Sequence, residues 1–252
     1  MTVGRIFIFD ENPGQIITVS GSDMHHIKNV LRMKLGDTII VCNSQGNEYR
    51  TTITEMNSNI KLNVEEINKT NSELPVCVTL YQAFPKGDKM DIIIQKCTEL
   101  GINRIVPVMS DRCVVKLDSK SVENKKARFI RIAESAAKQS GRSIIPEVTL
   151  PVTFGQAISE IKTANLGFVC YEGEVTTQLH NVLTGFKSTG FELNPFDKKS
   201  IAFFIGPEGG LSLDEADTAK NSGLIITGLG KRILRTETAP IFVMSAISFM
   251  FQ

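Results

Sequence analysis

Two short stretches carry the residue types that do chemistry. The first is Gly206-Pro207-Glu208-Gly209-Gly210, with Ser212 and Glu215 just beyond it. The second is Gly228-Leu229-Gly230, followed closely by Lys231, Arg232, Arg235 and Glu237. Glycines let a backbone turn sharply and come close to a ligand. Each stretch follows an apolar run, 201–205 and 224–227, of the kind that forms a strand buried on both faces. Each also precedes a helix start. Ser212 and Glu215 have capping-box spacing, and Pro240 suits a first helical turn, where its missing N–H costs nothing. Strand, glycine loop and helix N-terminus together present backbone N–H groups to a polar or anionic ligand. Two such units in succession make one pocket at the edge of a sheet.

A single glycine loop between a strand and a helix is usually a tight turn and nothing more. Two in a row, with Glu208, Lys231, Arg232, Arg235 and Glu237 crowded among apolar strands, point to a binding site. Neither loop is a Walker loop, because no Gly-Lys-Ser/Thr triplet follows at the required spacing. Gly228-x-Gly230 begins a dinucleotide fingerprint, but Ile233 stands where the third glycine belongs. That missing glycine counts against a nicotinamide-dependent oxidoreductase, one of two competing function classes. The other is a non-catalytic RNA-binding protein.

The elements around the loops follow from composition and pattern. At 252 residues the chain makes one large domain or two smaller ones. Its 42% hydrophobic and 22% charged residues are ordinary for a soluble globular protein. No run of about 18 apolar residues occurs, so no membrane span is expected, and the N-terminus does not read as a signal peptide. Five scattered cysteines without a C-x-x-C pair predict reduced thiols in a cytoplasmic protein. With no clustered cysteines beside His25, His26 and His180, no metal site is expected. A net charge of +1 leaves any nucleic-acid binding to local patches.

Residues 1–72 read as a small β-rich domain. Short β-type runs at 5–9, 15–19, 37–42, 48–56 and 59–66 suggest a barrel, with one helix predicted over 22–32. A polar stretch ending in Pro75 suits a linker. Over 73–252 strands and helices alternate, which predicts a mostly parallel sheet covered by helices. Helices are expected at 88–100 and 121–140, strands at 76–83, 104–108 and 165–171. The final helix is apolar nearly all round, so it belongs in a core or a subunit interface. The stretch 186–199 is polar and irregular and yields no prediction.

Charge clusters on one helix. Between 116 and 142 stand Lys116, Lys120, Lys125, Lys126, Arg128, Arg131, Lys138 and Arg142, against Asp118, Glu123 and Glu134. Such a run is often a solvated face. Its functional reading is phosphate contact, with Gln139 and Arg142 delivered to a site at the helix end. In the N-terminal domain, Arg5, His26 and Arg32 together would hold a phosphate.

The segments HHIKNVLRMKLGD, KGDKMDIIIQKCTELGI, SDRCVVKL, RIAESAAKQSGR, FIGPEGGLSLDE and GLGKRILRTETA occur in this order. Together they closely resemble the ribosomal RNA small subunit methyltransferase E family of the SPOUT superfamily, which methylates N3 of a uridine in 16S rRNA. The resemblance covers essentially the whole chain. It implies an N-terminal PUA-like β-barrel, a C-terminal trefoil-knotted α/β domain, S-adenosylmethionine as methyl donor, and a homodimer acting on the small ribosomal subunit. Its departures are small: Asp111 and Cys113 replace Glu and Ser, and Ile6 stands where a second aromatic is common.

On this resemblance the donor site comprises Tyr171, Glu172, Gly206, Glu208, Gly209, Gly210, Leu229, Gly230, Ile233 and Leu234. Leu229, Ile233 and Leu234 would give an apolar slot, and the glycine loops main-chain donors and acceptors. A uridine N3–H must be lost, which requires a base or an environment that favours the anion. Arg142, Arg235 and Arg112 are candidates to stabilise that charge. Glu208 and Glu237 are candidates for the base, each with an equally good structural role. Lys125, Lys126 and Arg128 are expected to touch phosphates only.

Overall fold

Short β-type runs separated by turns dominate the start of the chain, and each becomes a strand. The computed structural model describes residues 4–10, 13–69, 72–114, 119–173, 176–189 and 198–252. The chain divides into two compact units. One is Met1–Glu73 with Ala137–Ile145, the other Leu74–Ala136 with Pro146–Gln252.

The first unit holds β1 (Gly4–Phe7), β2 (Ile16–Val19), α1 (Gly21–His25), β3 (Thr38–Cys42), β4 (Asn47–Met56) and β5 (Ile60–Lys69). They form one sheet in the order β1-β3-β4-β5-β2. The β1–β3 pairing is parallel and the rest are antiparallel. Alternate residues point inward, and Ile6, Ile17, Val19, Ile39, Tyr49, Ile53, Ile60 and Leu62 form the core. The helix predicted over 22–32 is shorter and changes form. After α1 a wider π-type turn, His26–Val30, carries Ile27 into that core, and Arg32 then takes a left-handed φ of 53°.

A second stretch completes this unit. Ala137 packs with Phe7 and Cys42. Arg142 is 2% exposed. Its Nη2 donates to Glu73 Oε2 at 2.5 Å and its Nε to Glu73 Oε1 at 3.2 Å. The Ser143 N–H donates to the same carboxylate at 3.3 Å. Arg5 reinforces the join through Nη1, which donates to Glu48 Oε1 at 2.8 Å and to the Arg142 carbonyl at 3.3 Å. A boundary drawn at 72/73 does not contain this stretch, because it lies beyond a helix that reads as part of the second domain.

The second unit runs β6 (Cys77–Ala83), α2 (Lys89–Glu99), β7 (Arg104–Met109), α3 (Ser119–Ser140), β8 (Glu147–Val148), β9 (Val152–Thr153), α4 (Phe154–Ile161), β10 (Leu166–Cys170), β11 (Thr177–Gln178), α5 (Leu179–Ser188), β12 (Ser200–Ile205), α6 (Leu213–Asn221), β13 (Ile225–Gly228) and α7 (Thr238–Phe251). The last turn of α3, from Ala137, counts with the first unit. The sheet order is β11-β13-β10-β12-β6-β7-β8, with β9 also on β7, and the pairings are parallel. Central strands β6, β10 and β12 are buried on both faces, as near-continuous apolar runs require. Phe168 of β10 stacks on Phe203 of β12 with ring centroids 5.6 Å apart.

Strands β8, β9 and β11 are two residues long and leave no alternation to detect. Thr153 and Gln156 form the capping box that starts α4. Most of the irregular stretch 186–199 lies outside the described residues, as do Lys116 and Asp118 of the basic run. Helix α7 divides its apolar surface. Val243, Met244, Ile247 and Phe251 are buried, whereas Phe242 is exposed and Phe249 is 88% exposed.

Candidate functional site

Strands β13, β10 and β12 lie side by side, and their C-terminal ends open into one cavity of about 460 Å³. This is where parallel α/β sheets bind ligands. One wall is Gly206, Pro207, Glu208, Gly210 and Leu211, after β12. A second is Tyr171, Glu172 and Gly173, after β10, with Thr176. The third runs from Gly228 to Thr236 and on to Ala239. Gly210 has φ 67° and Gly230 φ 106°, left-handed conformations that glycine adopts freely and other residues rarely. The apolar side chains are Leu229, Leu234 and Ile233, the last 82% exposed at the rim.

The start of α6 is built as its sequence dictates. Ser212 Oγ accepts from the Glu215 N–H at 3.2 Å, and Glu215 Oε2 accepts from the Ser212 N–H at 3.0 Å. The buried Glu215 also takes the Asp111 N–H at 2.9 Å, so the cap of α6 ties down the loop after β7. Arg112 belongs to that tie. Its Nη1 donates to the Gly209 carbonyl at 2.7 Å, and a Cβ on Gly209 would meet the aliphatic part of Arg112 at 3.4 Å. Gly209 is thus turned towards Arg112 and is absent from the cavity wall, unlike its neighbours Glu208 and Gly210.

Two residues of β6 and α2 escaped the sequence reading. Buried Gln82 donates through Nε2 to Thr236 Oγ1 at 3.2 Å, and Thr236 Oγ1 donates to the Gly206 carbonyl at 2.8 Å. Lys89 Nζ donates to Glu208 Oε1 at 2.8 Å and stands 3.5 Å from Glu237 Oε2. The only sequence signal for either was a polar residue in or beside an apolar run. Partial burial pushes the Glu208 carboxyl up, but Lys89 and the backbone N–H of Lys86 outweigh it and hold it below the usual carboxylate range. The same hydrogen bond raises the Lys89 ammonium. Glu208 is a fixed anion and a weak base. Glu237 Oε2 is buried and accepts no hydrogen bond among the described residues. Arg235 lines the cavity, is exposed, and makes no ion pair among the described residues.

The model of a family described as RNA methyltransferase domain matches residues 72–248, and that of an RNA methyltransferase PUA domain matches 19–67. Ribosomal RNA small subunit methyltransferase E of Bacillus subtilis (strain 168) is 37% identical over 233 residues, covering 92% of this chain and 89% of that protein. The chain belongs to the ribosomal RNA small subunit methyltransferase E family. The crystal structure of a family member from Neisseria gonorrhoeae, bound to S-adenosyl methionine, superposes with a TM-score of 0.84 at 28% identity, over 99% of this chain and 98% of that one. A putative methyltransferase from Legionella pneumophila, in complex with bound cofactor SAM, gives 0.84 at 30% identity, over 98% and 97%.

Membership in this family gives the remaining charged residues a context, and several of them are already engaged. Arg142 is buried against Glu73, and Arg5, half-buried, pairs with Glu48 within the first unit. Arg128 is paired with Asp91, and with Asp88 at 3.4 Å. Lys125 Nζ lies 5.6 Å from the Phe84 ring centroid. Lys126 is half-buried and Gln139 exposed on α3. In the first unit Arg32 is exposed, and His26 sits half-buried in the π-type turn. No group of three or more His, Cys, Asp or Glu side chains suited to a metal occurs among the described residues.

Proposed function

We propose that this protein transfers a methyl group from S-adenosylmethionine to N3 of a uridine in the 16S rRNA of the small ribosomal subunit. The observation that carries the reading is the cavity at the ends of β10, β12 and β13. Five of its lining residues are glycines, so main chain forms much of the wall. Its volume of about 460 Å³ suits a small-molecule site. Leu229, Ile233 and Leu234 give a flat apolar surface for the adenine, and the exposed main chain gives donors and acceptors for its edges. S-adenosylmethionine supplies a methyl group already activated on a sulfonium.

The chain's own residues hold and orient the reactants. Arg235 faces the cavity and stabilises negative charge on the uracil carbonyls as N3 loses its proton. Glu237, whose Oε2 accepts no hydrogen bond among the described residues and stands 3.5 Å from the Lys89 ammonium, is the candidate to receive that proton. Glu208, fixed by Lys89, anchors the first glycine loop. Lys125, Lys126 and Gln139 contact the RNA backbone, and the target base leaves its stack to reach the donor. Arg142, buried against Glu73, serves the fold of the first unit.

Calorimetry with S-adenosylmethionine tests the pocket. The wild type should bind, and Gly230→Val should bind roughly 10²-fold more weakly. A β-branched residue forced to the left-handed φ at this position strains the loop by about 1–3 kcal/mol. Gly209→Ala should stay within a few-fold of wild type, since Gly209 lies off the wall. Equal affinity in wild type and Gly230→Val would place the donor elsewhere. Mapping of 16S rRNA from a deletion strain should then show one uridine lacking its N3 methyl group, and an unchanged rRNA would refute the substrate assignment.

The same reading carries a trefoil-knotted second unit, cytoplasmic residence and a homodimer. Phe242 and Phe249 on α7 are the interface candidates. Of Ile241, Met244, Ile247 and Phe251, the residues of this apolar helix expected at or beside an interface, the last three are buried within the protomer and Ile241 is half-buried. Analytical ultracentrifugation should show a dimer that Phe249→Asp dissociates. A wild-type monomer at micromolar concentration would sink the assignment.

A further inference from the structure

The two glycine loops come from different strand ends, and each carries one carboxylate towards the same point. Glu208 belongs to the loop after β12, and Glu237 precedes the first residue of α7. Like charges so close repel unless something stands between them. What stands between them is one ammonium from a third element. Lys89, the first residue of α2, lies 2.8 Å from Glu208 Oε1 and 3.5 Å from Glu237 Oε2, and it also lines the cavity. The Lys86 N–H donates to the same Glu208 oxygen at 3.1 Å, so the turn between β6 and α2 grips that loop twice. Other charges near the start of α2 are engaged elsewhere, since Asp88 and Asp91 pair with Arg128.

We infer that Lys89 is a positioning residue that sets the spacing of the two glycine loops, and through it the width of the donor site. The link to donor binding rests on the proposed reading of the cavity. The tie between the loops does not. Lys89 holds one carboxylate in the first glycine loop and one where the second loop meets α7, so its loss should be felt in both loops at once and should be relieved by removing either carboxylate charge.

The test compares wild type, Lys89→Met, Lys89→Arg, Glu208→Gln and the Lys89→Met/Glu208→Gln double variant. Two quantities are measured: S-adenosylmethionine affinity by calorimetry, and amide hydrogen exchange in 206–210 and 228–236 without ligand. Lys89→Met should weaken donor binding roughly tenfold, the size expected for groups in direct contact. Exchange should speed up in both loops. Lys89→Arg should recover part of the affinity, and the double variant should bind better than Lys89→Met. Exchange altered in one loop or in neither, or a double variant no better than the single one, would overturn the assignment. A wild type that binds no S-adenosylmethionine would refute the donor reading, while the exchange data would still decide the role of Lys89.

Discussion

Arg142→Ala should lower the unfolding free energy by about 3–5 kcal/mol, the cost of leaving one partner of a buried ion pair uncompensated. The guanidinium and the Glu73 carboxylate have side-chain exposures of 3% and 5%, and the carboxylate also serves the Ser143 N–H. Without Arg142 that carboxylate remains buried, with the Ser143 N–H at 3.3 Å beside it. Replacing both partners together, as Arg142→Met/Glu73→Leu, should recover part of the loss, because apolar residues of similar volume suffer no desolvation. Denaturant unfolding of the two variants measures this directly. At a temperature where the variant stays folded, its single-turnover methylation rate at saturation should lie within a few-fold of wild type. An unchanged stability with a rate lower by about 10²-fold would return Arg142 to the reacting base.

Arg235→Ala should have the opposite signature. Its guanidinium lines the cavity and makes no ion pair among the described residues, so removing it leaves no buried partner stranded. Stability should change little. The saturated single-turnover rate should fall by about 10²–10³-fold, as when one preorganised donor to a developing oxyanion is lost. Donor affinity should fall less than the rate, because the charge matters most as N3 loses its proton. Arg235→Lys should recover only part of the rate, since lysine keeps the charge and loses the planar fork. A loss confined to affinity would make Arg235 a binding contact.

The cavity walls were legible because local rules decide them. A buried strand, a glycine run and a capping box are each written in consecutive residues, and Gly206, Gly210, Gly230 and Ser212–Glu215 stand where those rules place them. The fate of long cationic side chains was not legible. Arg5, Arg112, Arg128 and Arg142 carry the same charge in the sequence, yet each is taken up by a partner at least 37 positions away. Charge patterning along a helix reports which residues are basic and nothing of what folds back onto them. Gln82 and Lys89 were missed for the same reason, since their partners Thr236, Glu208 and Glu237 come from the other end of the chain. The glycine loop itself shows the limit of local rules. Gly209 and Gly210 are adjacent, but Gly210 lines the cavity while Gly209 packs on Arg112.

The first unit is assembled from two stretches, and the second begins only at Ala137. Synthesis therefore cannot finish it early. When residues 1–73 have left the ribosome, Phe7 and Cys42 still lack Ala137, and the Glu73 carboxylate still lacks the guanidinium that neutralises it. Those groups wait until Ile145 has been made, by which time the chain has also supplied β6, α2 and β7. The sheet that begins the chain is closed by a piece of its middle, so order of synthesis and order of completion differ. A gene fragment cut at the apparent linker encodes the strands of this unit without the arginine that locks them.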